Sequence, residues 1–238
     1  MRRVYMESLK VERPTKRCIN DLMELSSATV WGTLNGMQIP STFMKGIVPL
    51  KSGYKMVGTA QTLHYVPMRE DKRYTPESFR ASAPFCLANE TQEGDVIVVD
   101  AGGKDGYGGM GDIMITSYVV KKAAGMVFDG SIRDSPYAKT LTMPIFCRGV
   151  QPPTTPPILP VAANIMIQCA GVLVVPGDVL IGDDDGVVVI PKEKAEEVAK
   201  KGLEHEKIEI YSRKLLEVGR SLSEAYPPKQ EWITKPPI

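Results

Sequence analysis

Histidine is almost missing from this sequence: His64 and His205 are the only two in 238 residues. A histidine-rich metal centre is thereby excluded. No Ser-His-Asp set is credible either, because neither histidine lies near a nucleophile motif. Cysteine is scarce as well. Cys18, Cys86, Cys147 and Cys169 lie far apart with no C-x-x-C pair, which predicts reduced, mostly buried thiols rather than a disulfide frame. No apolar run is long enough for a signal peptide or a membrane span, so a cytoplasmic protein without a membrane partner is expected. Neither sign of charge prevails, with 29 basic against 28 acidic residues. They are scattered, without an aromatic-plus-basic array, and nucleic acid is not an expected partner. What is left is an ordinary globular composition on a chain long enough to bury a sizeable core.

Glycine, by contrast, is concentrated in one place. Val96-Ile97-Val98-Val99 is an unbroken β-branched run, which predicts a strand buried on both faces. Six glycines follow between Gly102 and Gly111. They are too many for regular structure and suit a loop wrapped closely around a ligand. Asp112 opens a predicted helix over Ile113 to Ala124, with Gly125 as its stop. Met126-Val127-Phe128 predicts a second strand, followed by a loop through Arg133-Asp134. If the two strands are parallel, their crossover is right-handed and both following loops emerge at one sheet edge, where open α/β sheets place ligands. Asp112 and the Arg133-Asp134 pair are therefore predicted to face one cleft.

The rest of the chain reads as a single α/β domain: a loosely held arm (1–15), a core (16–191), and a C-terminal helix with a proline-rich tail (192–238). Apolar spacing predicts helix from Lys16 to Gly36 with a break at Ser26-Ser27, and again from Pro76 to Asn89. Strands are predicted around 47–50, 56–65, 143–147, 165–169, 172–175 and 187–190. The proline-rich stretch Gln151 to Pro160 predicts an extended connection without ladder pairing. Gly177-Asp178-Val179-Leu180-Ile181 echoes Gly94-Asp95-Val96-Ile97-Val98. Asp183-Asp184-Asp185-Gly186 lacks the spacing of a calcium loop and predicts a hairpin turn. Pro191 to Val218 predicts a long helix stopped by Gly219.

Asp112 and Asp134 are hard oxygen donors beside glycines, a combination suited to Mg²⁺ or Mn²⁺ that keeps several waters. Arg133 next to such a cation offers a planar fork for a carboxylate or enolate oxygen, and the free N–H groups at the helix start add anion affinity. The plain alternatives are a helix cap for Asp112 and a local turn salt bridge for Arg133-Asp134. Gly106-x-Gly108-x-x-Gly111 also fits the spacing of a dinucleotide fingerprint, so nicotinamide chemistry is a minor alternative. His64 reads as a satisfied strand residue, His205 as a solvated helix residue, and Tyr118-Val119-Val120 as core.

Gly108-x-x-Gly111-Asp112, then twenty residues, then Arg133-Asp134 resembles the signature of the class II 4-hydroxy-4-methyl-2-oxoglutarate / 4-carboxy-4-hydroxy-2-oxoadipate aldolases. Those enzymes share a superfamily with the ribonuclease regulator RraA. The resemblance runs from about Cys18 to Ser221 and includes Gly171 to Pro191. It implies an α-β-β-α sandwich like the swivelling phosphohistidine domain, assembled as a homotrimer or homohexamer with sites between subunits. It implies Asp134 as ligand of Mg²⁺ or Mn²⁺, Asp112 holding metal-bound water, and Arg133 on the pyruvyl oxygen. Backbone N–H groups around Gly111, Ile113 and Met114 would hold the substrate carboxylate. Glu209, or second Glu206, would join through water from a neighbouring subunit. The implied activity is retro-aldol cleavage releasing pyruvate, with oxaloacetate decarboxylation beside it, in aromatic catabolism. The rival reading is a non-catalytic RraA-type regulator binding a ribonuclease. Such regulators lack an aspartate after the arginine, and Asp134 favours catalysis.

Overall fold

The computed structural model describes residues 8–72, 75–153 and 158–228, except the side chains of Glu70, Pro76, Lys104 and Asp105. Two helices come first. In α1 (Lys16–Met23) the Thr15 hydroxyl accepts from the Cys18 N–H, and in α2 (Ser27–Gly36) the Ser26 hydroxyl accepts from the Thr29 N–H. The break at Ser26-Ser27 is thus a cap satisfying donors that the helix itself cannot. Strands β1 (Val48–Pro49) and β2 (Met56–Pro67) follow, then short helices α3 (Pro76–Arg80) and α4 (Ala83–Glu90). The middle of the chain holds β3 (Asp95–Gly108), α5 (Asp112–Val120), β4 (Gly125–Ile132), α6 (Ser135–Ala138) and β5 (Ile145–Val150). Five strands come next: β6 (Ile158–Ala163), β7 (Ile167–Cys169), β8 (Val172–Val174), β9 (Val179–Asp183) and β10 (Gly186–Ile190). The long helix α7 (Ala195–Glu217) and the short α8 (Leu222–Ala225) end the described chain.

The main sheet runs β1-β5-β4-β3-β2-β9-β10, with β6 also pairing with β2, while β7 and β8 form a separate ribbon. The β2–β3, β3–β4 and β4–β5 pairs are parallel, as the alternation of strands and helices in that region requires. Side-chain parity divides the interior into three apolar layers. Leu63, Ile97, Val99 and Phe128 pack with Leu87 of α4 and with Ile115 and Tyr118 of α5. Ala60, Val96, Val98, Val127 and Phe146, on the opposite face, meet Cys169, Val172, Leu180 and Val187. Val57, Val179, Ile181 and Val188 then pack on Leu22, Val30 and Val198 of α1, α2 and α7. Helices, sheet, sheet and helices follow in that order, the α-β-β-α arrangement expected. The sheet is nearly closed: β1 lies beside β10, and Phe43 bridges to Val188.

The structure corrects several expectations. The glycine-rich stretch is not a free loop, because β3 continues to Gly108, pairing irregularly with β4 at Lys104↔Gly130 and Gly108↔Ser131. Helix α5 stops at Val120, not Ala124. The residue turning the chain is Lys122, at φ 58°, and Gly125 opens β4 instead. Val120 is 75% exposed, so only Tyr118 and Val119 of that stripe reach the core. Ile158 to Pro160 do pair with β2, whereas 154–157 lie outside the described residues. The arm is tied down from Leu9 onward. Arg13 makes two hydrogen bonds to the buried Asp95, Lys192 pairs with Glu12, and the Leu9 N–H donates to Asn164.

The echo between 94–98 and 177–181 has a common cause. In each, a glycine at positive φ (Gly94 87°, Gly177 99°) precedes an aspartate whose carboxylate accepts the N–H three residues back, from Gln92 and Val175. Asp183 to Gly186 is the expected hairpin. Its Asp183 carboxylate accepts both the Ser27 N–H and hydroxyl, tying β9 to the start of α2.

Gly58 on β2 has no room for a side chain: a Cβ there would meet the Gly94 carbonyl oxygen and fall 2.8 Å from Ala124 Cβ. Gly58→Ala is expected to destabilise the protein by about 1–3 kcal/mol through overpacking against backbone. A urea titration reading Cm at unchanged m checks this.

Candidate active site

The end of β3 is stitched to the end of β4 by backbone alone. The Gly109 N–H donates to Ser131 O at 2.8 Å, and the Arg133 N–H donates to Met110 O at 2.9 Å. Those bonds bring Gly111-Asp112 against Arg133-Asp134, as the sequence predicts. The glycines are there for space. A Cβ on Gly108 would fall 2.5 Å from Arg133 Cβ, and one on Gly111 would fall 2.6 Å from Asp134 Oδ2.

Asp134 sits at φ 58°, ψ 34°, a left-handed conformation that aspartate tolerates and that aims its carboxylate back at the start of α5. Its Oδ2 accepts from Arg133 Nε at 3.0 Å and from the Asp112 N–H at 3.3 Å. Both side chains stay about one-third exposed, at 34% for Arg133 and 31% for Asp134. The Arg133 guanidinium first, and then the Asp112 N–H, hold the Asp134 carboxyl below the usual carboxylate range. The turn salt bridge therefore exists, and it opens onto solvent rather than into packed protein.

Asp112 is the first residue of α5, after Gly111 as N-cap, and its Oδ1 accepts the Ile113 N–H at 2.8 Å. It thus satisfies one donor of its own helix, which is the plain reading in part. Of the backbone donors expected to take a substrate carboxylate, the Ile113 N–H is engaged in this way. The Met114 N–H meets no acceptor among the described residues. The Ile113 side chain is 81% exposed, while Met114 leans on the core.

Among the described residues no group of three or more His, Cys, Asp and Glu side chains converges as a metal cage. Asp112 and Asp134 do converge, since the Asp134 carboxylate accepts the Asp112 N–H at 3.3 Å. Two neighbouring hard-oxygen donors, partly solvated, fit a Mg²⁺ or Mn²⁺ ion that keeps most of its waters. They do not fit a cation needing full protein coordination.

Glu206 and Glu209 are elsewhere in the chain. Both lie on α7, where Arg213 pairs with each, Thr29 donates to Glu206, and His205 meets Glu209. Sequence reasoning missed a second polar group on the parallel strands. His64 Nδ1 meets Asp100 Oδ2 at 2.8 Å, and Arg148 Nε donates to Asp129 Oδ1 at 2.5 Å. The available signal was a charged residue directly after each apolar run, at Asp100, Asp129 and Arg148.

The family described as RraA-like, Aldolase/RraA, matches residues 21–189. The chain belongs to the RraA-like family. A protein of Halalkalibacterium halodurans named "Putative 4-hydroxy-4-methyl-2-oxoglutarate aldolase" is 36% identical over 155 residues, covering 65% of this chain and 69% of that protein. Protein DlpA of Legionella pneumophila is 26% identical over 90% of this chain, which spans only 34% of DlpA. The crystal structure of Streptomyces coelicolor RraAS2 aligns at TM-score 0.78 and 36% identity, covering 86% of this chain and 99% of RraAS2. RraAS2 is described as an unusual member of the RNase ES inhibitor RraA protein family. No helix among the described residues of this RraA-like chain is long and apolar enough to cross a membrane.

The ionised Asp134 contributes stability above the ordinary carboxylate pKa, and loses it as pH falls through the lowered value. Carboxyl ¹³C titration is expected to place the Asp134 midpoint below that of a free aspartate, and Arg133→Gln to move it upward.

Proposed function

We propose that this RraA-like protein is a divalent-metal-dependent carbon–carbon lyase that cleaves a 4-hydroxy-2-oxo acid by retro-aldol reaction and releases pyruvate. The observation that carries the reading is the Arg133–Asp134 pair held open against Gly111 and the start of α5. The H. halodurans relative's name supports the same class of reaction. 4-Hydroxy-4-methyl-2-oxoglutarate and 4-carboxy-4-hydroxy-2-oxoadipate are the proposed substrates, with oxaloacetate decarboxylation as a side activity.

Asp134 would hold the cation directly and Asp112 through water. A Mg²⁺ or Mn²⁺ ion there supplies Lewis acidity toward the 2-oxo group. The start of α5, with the Met114 N–H foremost, takes the substrate carboxylate, aided by the partial positive charge of the helix end. Arg133 directs its guanidinium to the 2-oxo oxygen. Its charge is fixed in place before the reaction, so it stabilises negative charge growing on that oxygen as the C3–C4 bond breaks. Asp112 orients the water that removes the C4 hydroxyl proton. The released three-carbon fragment is the enolate of pyruvate. Loss of CO₂ from oxaloacetate yields the same enolate and requires no C4 hydroxyl proton to be removed. Glu209, or Glu206, is proposed to complete the site from a neighbouring subunit of a trimer or hexamer.

A second reading, a regulator that binds a ribonuclease, is favoured by the likeness to RraAS2 over 99% of its length. The purified protein is expected to release pyruvate from 4-hydroxy-4-methyl-2-oxoglutarate only with Mg²⁺ or Mn²⁺, and EDTA should stop it. Arg133→Ala and Asp134→Ala should each lower kcat/KM by about 10²–10⁴-fold with the fold retained. Ribonuclease binding by a protein with no metal-dependent turnover on any 2-oxo acid would establish the regulator instead.

A further inference from the structure

Four neighbouring strands each place a polar side chain at the same level. His64 of β2 is registered with Asp100 of β3, and the residues just before Asp100, Asp129 and Arg148 are registered with one another across β3, β4 and β5. By parity all four face away from α5, toward the β7–β8 ribbon. The two carboxylates are nearly out of solvent, with side chains 10% exposed for Asp100 and 6% for Asp129. Each takes one neighbouring cation or imidazole and one backbone donor. Asp100 accepts from the Gly102 N–H at 2.9 Å, and Asp129 accepts from the Ala170 N–H at 2.8 Å.

This row sits where β3 leaves its ladder. Regular pairing with β4 ends at Val99 and resumes only at Lys104, across Gly102 and Gly103, both at φ 66°. Tyr107 and Met110 anchor the far half of the stretch in the apolar core, so it is the near half, 102–106, whose path is set by what holds its ends. At the far end Gly108 and Gly111 lie on Arg133 and Asp134. At the near end Asp100 takes the Gly102 N–H, and the Arg148 guanidinium lies over Gly103, in van der Waals reach of where its Cβ would be. A Cβ on Gly103 would fall 3.4 Å from Arg148 Nε, and one on Gly46 would fall 2.6 Å from Arg148 Nη1.

We infer that Arg148, held by Asp129, is a positioning residue that sets the path of the glycine-rich strand and thereby the Gly108–Gly111 wall of the site. The inference rests on the lyase reading for its kinetic consequence, but not for its structural one. Arg148 acts through the strand and touches no substrate. Losing it moves the wall and the start of α5, which receive the organic acid, and leaves Asp134, between β4 and α6, in place.

The test uses the full chain with Arg148→Gln and the conservative Arg148→Lys. In Arg148→Gln, amide hydrogen exchange within 102–111 should quicken about tenfold or more while the β9–β10 hairpin is unchanged. KM for the 2-oxo acid should rise about fivefold or more, with Mn²⁺ affinity held within about twofold. Arg148→Lys should fall between wild type and Arg148→Gln on both readings. Exchange that quickens evenly over the molecule or not at all, or unaltered kinetics in a folded variant, would overturn the inference. If the wild type turns over no 2-oxo acid, the lyase reading falls, and the exchange pattern alone decides the role of Arg148. Should Arg148→Gln fail to fold because Asp129 is left buried alone, Asp129→Asn/Arg148→Gln leaves neither charge unpaired and takes the same measurements.

Discussion

The parallel pairing of β3 with β4 is the constraint from which the candidate site follows. It aligns two chain segments that end within hydrogen-bonding distance of each other, so Gly111-Asp112 and Arg133-Asp134 meet without any long side chain bridging them. The pairing is made possible by burial on both faces. Val99 and Phe128 pack on α4 and α5, while Val98 and Val127 pack toward β9 and β10. An apolar sheet buried on both sides cannot slip by one residue without exchanging its two faces. The geometry of the polar hollow is thus inherited from hydrophobic register, and the ionic contacts refine it afterwards.

Crowding does the refining. Gly108 and Gly111 are required because arginine and aspartate side chains occupy the volume their Cβ atoms would need, and Gly111 is in ordinary extended backbone at φ −116°. Gly102 and Gly103 serve another purpose, since their positive φ lets β3 leave and rejoin its ladder. One glycine-rich stretch therefore contains two kinds of glycine, one for conformation and one for space.

Much of this was legible in the sequence because it is local. The buried runs at 96–99 and 126–128, the Ser26 cap, the Asp183–Gly186 hairpin and the Arg133-Asp134 pair each depend on a few consecutive residues. The misplaced boundaries have physical causes. Lys122 adopts the left-handed turn that glycine was expected to supply. The glycines that suggested a loop were compatible with an irregular strand, because backbone pairing needs no side chain. What was illegible depends on register across distance. Arg13 reaches Asp95 over 82 residues, and Arg148 finds Asp129 only once β4 and β5 are aligned. The α7 glutamates show the same limit, since Thr29 reaches Glu206 over 177 residues.

Strand β2 contributes to all three apolar layers, through Leu63, Ala60 and Val57 in turn. It is the common wall of the whole molecule. No portion of the chain that excludes it retains a sealed interior, and no portion that contains it seals one without the others. Backbone breakage within 56–67 should therefore leave two fragments that are each unfolded alone and regain structure only by complementing one another. The loops that leave the carboxyl ends of β3 and β4 at 109–111 and 133–134 give only Met110 to the three layers. Their length and chemistry can change while the scaffold beneath them stays as it is, so the protein separates the part that must be inherited whole from the part free to diversify.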